Sequence, residues 1–172
     1  MRHAIGIAIA GLVVGGVVFA LVAVDRTPAN TTYVPTPPTV EYNEFRDWTD
    51  VEAEMPVFRP DGSWAVYTIR AMPDGRSWSG RPPRVWVSIS LDDYKANGPV
   101  PADPIIVTES GARMVGDTER SATSAFEWSQ IEELIESRSA KIQWGVAEYR
   151  LTGQSIAQVR ALVDSVNSLK AN

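Results

Sequence analysis

The chain contains no cysteine and a single histidine, His3. The first absence excludes disulfides, thiolate metal centres and cysteine nucleophiles. The second is as restrictive, because His3 stands in front of a long apolar stretch and so outside any soluble domain. Histidine-ligated zinc, Ser-His-Asp triads and imidazole acid–base chemistry are thereby excluded from that domain. Positive charge is also scarce: 16 Lys and Arg stand against 21 Asp and Glu, for a net charge of −5. Neutralising phosphates needs a basic surface, so no nucleic-acid partner is expected. No metal or other cofactor is expected either.

What the chain does have is an uncharged run, AIGIAIAGLVVGGVVFALVAV, from residue 4 to 24. At about 1.5 Å per residue, some 20 apolar residues cross a hydrocarbon core of about 30 Å. Residues 1–26 are therefore expected to form a single transmembrane helix acting as a signal-anchor. Val18, Phe19 and Ala20 also fit a signal-peptide cleavage site, but the run is longer than a typical cleavable apolar region, which favours retention. Arg2 precedes the run, whereas Asp25 and Arg26 cancel after it. The positive-inside rule then places the N-terminus in the cytoplasm and the C-terminal domain outside, periplasmic or extracellular. Gly11 and Gly15 make a GxxxG pattern, a small-residue stripe along which a second membrane helix could pack.

Residues 27–40 are rich in Pro and Thr, and Pro28, Pro35, Pro37 and Pro38 direct an extended polyproline linker. Residues 41–172 are expected to form one soluble α+β domain. Tyr42, Phe45, Trp48 and Val51 recur every third residue, which allows a short helix over 41–54. Turns are predicted at Asp61–Gly62, Asp74–Gly75 and Asn97–Gly98. The alternation of Val85, Val87, Ile89 and Leu91 with Trp86, Ser88 and Ser90 predicts a strand over 84–91. Capping boxes at Ser124 or Ser129 and at Ser155 predict two helices, the second with Ile156, Val159, Leu162, Val163, Val166 and Leu169 on one stripe. The order of elements indicates a small antiparallel sheet with about two helices packed on one face.

Candidate chemistry is sparse. Glu41 and Asp50 resemble, in their spacing, the first two catalytic positions of membrane-tethered phage lysozymes. Pro56 replaces the Thr expected next, and the strand-rich sequence after it does not resemble a helical lysozyme body. No catalytic residue is assigned, although carboxylates leave a hydrolase open. Arg70, Arg76, Arg81 and Arg84, interleaved with Trp78 and Trp86, concentrate cations and aromatics in an acidic domain. Arg76, Trp78, Arg81 and Arg84 are the candidate partner-binding residues on a loop.

The reading is a noncatalytic, single-pass protein of the cell membrane. Its domain is expected to be an accessory or interaction subunit with a protein partner in a membrane or envelope complex. The alternative is an exported or tethered module binding envelope glycan or another ligand through the Arg/Trp loop.

Overall fold

The computed structural model describes residues 33–76, 78, 80, 82–89, 103–120 and 122–170. The expected anchor at 4–24, with Gly11 and Gly15, lies outside the described residues, as do Arg81 and the Asn97–Gly98 turn. Among the described residues no helix is long and apolar enough to cross a membrane.

The chain first forms a meander. Strands β1 (Thr39–Asn43), β2 (Trp48–Phe58), β3 (Trp64–Ala71) and β4 (Val85–Ser88) pair in antiparallel succession. Gly62 takes φ +83° and Gly75 φ +72°, left-handed values that glycine adopts without a Cβ penalty, at two of the predicted turns. Along β3, Ala65, Tyr67, Ile69 and Ala71 are buried while their neighbours are partly exposed, the period-two pattern of a half-buried strand. The helix expected over 41–54 is instead the β1–β2 hairpin. Its apparent three-residue period breaks at Phe45, which sits in the turn with its ring fully exposed. Cross-strand pairing outweighs a weak helical period in a β-branched and aromatic segment.

Strands β5 (Ile105–Thr108), β6 (Arg113–Val115), β7 (Asp117–Arg120) and β8 (Thr123–Phe126) follow, then helix α1 (Trp128–Ile135). Strands β9 (Ala140–Trp144) and β10 (Ala147–Leu151) lead to the closing helix α2 (Gly153–Ser168). All ten strands join one sheet, in the order β6-β5-β9-β10-β2-β3-β4-β8-β7, with β1 paired to β2 off this path. Strands β6 and β7 are at opposite ends of that order, yet only Gly116 separates them in sequence. A one-residue connection brings the two ends together, so the sheet curls into a nearly closed barrel. This corrects the expected small sheet with helices on one face. Short strands and an uneven alternation had hidden how many segments pair.

Helix α2 packs chiefly on β2, with further contacts to β3 and β10, and α1 packs on α2. The α2 stripe of Ile156, Val159, Leu162, Val163 and Val166 is buried in one core with Val51, Met55, Tyr67 and Ile69. Burying each large aliphatic side chain contributes roughly 1.5–3 kcal/mol. The helix begins earlier than Ser155: Thr152 is the N-cap, and the Ser155 hydroxyl accepts its backbone N–H at 2.9 Å. Helix α1 likewise starts between the two expected caps, with Glu127 as N-cap and its N–H donated to Gln130 Oε1 at 2.8 Å.

Strand β2 carries Pro56 in its interior, where proline normally removes a ladder bond. On its side away from β3, β2 meets β1 only up to Glu52 and β10 only at Phe58. Pro56 falls in the gap between them. There the Pro56 carbonyl accepts the Ser155 hydroxyl (2.6 Å), and the Glu54 carbonyl accepts the Tyr33 hydroxyl (3.1 Å). Tyr33 is buried edge-on to Trp64, so the chain is already packed on the domain before β1 begins.

Candidate functional site

Alternation decides what the outer face of the sheet offers. With Val51, Ala53, Ile69, Ala71, Val85 and Val87 turned into the core, Glu52, Thr68, Arg70, Trp86 and Ser88 must point outward. The register aligns them in rows: Glu52 opposite Arg70, Arg70 opposite Trp86, Thr68 opposite Ser88, and Ser88 opposite Thr123. Together with Arg46, Trp48 and Met72 they line a groove of about 550 Å³.

The groove has two chemically different ends. At one end the hydroxyls of Ser88 and Thr123 hydrogen-bond at 2.9 Å, beside Thr68 and the Trp86 indole. At the other end Trp48 Nε1 is buried and has no hydrogen-bond partner among the described residues. The Arg46 guanidinium lies over the Trp48 ring, 5.0 Å from its centroid, a cation–π stack. Between the ends, Arg70 clamps Asp50 with two parallel hydrogen bonds, Nε to Oδ1 at 2.5 Å and a second to Oδ2. These bonds hold the Arg70 pKa above its already high ordinary value, so the guanidinium stays charged.

The cations and tryptophans that the sequence placed together are separated by the fold. Arg70 and Trp86 face each other in the groove. Trp78 is buried, donates its indole N–H to the Val166 carbonyl at 3.0 Å and meets Trp128 edge-on. Arg76 stacks over the Tyr42 ring at 4.5 Å and reaches Glu44 at 3.4 Å. Arg84 pairs with Asp117 at 2.5 Å and with Glu127 at 3.2 Å. Trp48 and Arg46 were missed as groove residues. The only signal was an aromatic–cation neighbourhood two residues apart, which looks the same in a helix and in a hairpin.

Glu41 lies directly opposite Asp50 in the β1–β2 register, and with Thr39 and Glu52 they line a shallow pocket of about 130 Å³. Asp50 is committed to Arg70, which leaves Glu41 without a second available carboxylate at 50. A further cleft of about 540 Å³ opens beside Glu109, Lys141, Arg150 and Thr152. Its Lys141 pairs with Glu148 at 2.8 Å, and the Glu109 carboxylate accepts the backbone N–H groups of Arg138 (2.6 Å) and Ser139 (3.0 Å). Its Arg150, like Arg46 of the groove, has no ion pair among the described residues. No group of three or more His, Asp or Glu side chains able to hold a metal ion occurs among the described residues. No family model, no curated protein and no solved structure matches the chain.

Proposed function

We propose that this chain is a noncatalytic binding protein, held at a membrane by the apolar sequence 4–24, with its domain on the outer side. The domain acts as an accessory subunit of the cell envelope and takes an envelope ligand in the groove on the outer face of β2, β3, β4 and β8. The observation that carries this reading is the convergence of Trp48, Trp86, Arg46 and Arg70 on one face with three hydroxyl side chains. Aromatic walls with a few placed polar groups are the chemistry of ligand sites.

The test is co-sedimentation of the full-length protein, in detergent, with purified envelope polysaccharide. Wild type and Arg76→Ala are expected to co-sediment, and Trp86→Ala to stay in solution. Equal behaviour of Trp86→Ala and wild type, or no binding by wild type, overturns the assignment.

A protein partner is the second reading, favoured by the fully exposed Phe45 ring at the β1–β2 turn. Exposed aromatics are enriched at interface hot spots. Mild-detergent purification from native membranes would then retain a stoichiometric partner that Phe45→Ser loses.

A further inference from the structure

We infer that the groove is built for an acidic saccharide, with a carboxylate seated at the Arg46–Trp48 end and a sugar ring against Trp86. This inference rests on the groove being the binding surface.

Charge bookkeeping separates Arg46 from the other arginines near this face. Arg70 is neutralised by Asp50, Arg76 by Glu44, and Arg84 by Asp117 and Glu127. Arg46 has no ion pair among the described residues, and its guanidinium is held by the Trp48 ring rather than by an acid. The Trp48 indole N–H, a group that can only donate, is itself buried and has no acceptor among the described residues. Arg46 brings a positive charge to this end of the groove that no acid among the described residues offsets. A carboxylate supplies two acceptor oxygens and one negative charge, which matches a planar guanidinium.

The rest of the groove calls for hydroxyls and C–H faces. Trp86 offers an aromatic face, Ser88 and Thr123 offer hydroxyls, and Glu52 is an acceptor for ligand O–H groups. Glu52 also repels an anion, and it is four residues from Trp48 along β2, roughly 13 Å at the usual strand rise. The negative group is therefore sorted to the Arg46 end. From Trp48 to the row containing Thr68 and Ser88 is six strand residues, roughly 20 Å. That span fits an extended oligomer carrying both an acid and free hydroxyls.

The experiment is calorimetry on the full-length protein in detergent, with a galacturonate tetrasaccharide and its carboxyl-reduced counterpart as probes. The rings are the same, and only the group on C6 differs, a carboxylate in one and a neutral hydroxymethyl in the other. The acidic form is expected to bind at least tenfold more tightly, with an advantage that shrinks as salt is raised. Arg46→Gln should bring the affinity for the acidic form down toward that for the reduced form. Arg46 stands in a turn, so its variant tests binding without endangering the fold. Equal binding of both probes overturns the carboxylate inference while leaving the groove reading in place. If neither probe binds although envelope polysaccharide does, the saccharide acid is the wrong class. If nothing binds, the groove reading itself fails.

Discussion

Gly116 lies against the ring of Phe126: a Cβ at position 116 would sit 2.7 Å from Cζ and 3.0 Å from both adjacent ring carbons. This contact closes the sheet, because Gly116 is the single residue between β6 and β7 at its two ends, and its N–H is donated to the Pro104 carbonyl at 2.9 Å. Phe126 is fully buried and has little room to retreat. Gly116→Ala should therefore lower stability by about 1–3 kcal/mol through overpacking. Gly80→Ala, whose new methyl meets nothing within 4 Å, should change little. Urea unfolding of both variants checks this, and a Phe126→Leu background should recover part of the Gly116→Ala loss.

Ser155 joins α2 to β2 through one hydroxyl, which accepts from Thr152 N–H and donates to the Pro56 carbonyl. Its removal leaves a buried carbonyl in the gap of β2 without its partner. Ser155→Ala is expected to cost about 1–3 kcal/mol in chemical denaturation. Gln158, one turn on, is the contrasting case: its side chain is buried and Oε1 has no partner among the described residues. Gln158→Leu should leave stability unchanged or raise it.

Trp78 belongs to the core rather than to a ligand surface. Trp78→Ala should cost about 3–5 kcal/mol, losing the bond to Val166 and the contact with Trp128. Arg76→Ala, an exposed pair with Glu44, should stay within about 0.5 kcal/mol of wild type. Thermal melts of the two variants distinguish these roles.

Glu109 sets a pH dependence on the acid side. The backbone N–H of Arg138, followed by its own and that of Ser139, holds its carboxyl below the ordinary value of 4.5. A folded pKa below the unfolded one stabilises above the ordinary value, and that contribution is lost as pH falls through the lowered folded value. Glu109→Gln should thus be less stable than wild type near neutrality and indistinguishable from it in strong acid. Carboxyl NMR titration of the folded protein should show Glu109 losing its charge at lower pH than a free glutamate side chain does.

The residues alone determined the local features of this protein. Gly62 and Gly75 marked turns because few other residues tolerate positive φ, and β4 and α2 declared themselves by period. Absence was equally legible: without cysteine, and with its one histidine at position 3, the domain's chemistry was narrowed before any fold was known. Tertiary structure decided which of those local pieces became neighbours. Alternation says which face a side chain takes, but not which strand lies beside it. Asp50 meets Arg70 across 20 residues and Ser88 meets Thr123 across 35. The same pairing scattered Arg76, Trp78 and Arg84 to three environments and gathered Arg46, Trp48, Arg70 and Trp86 into one groove. Strand register is a long-range choice, made by the packing of the whole core and not by any single segment.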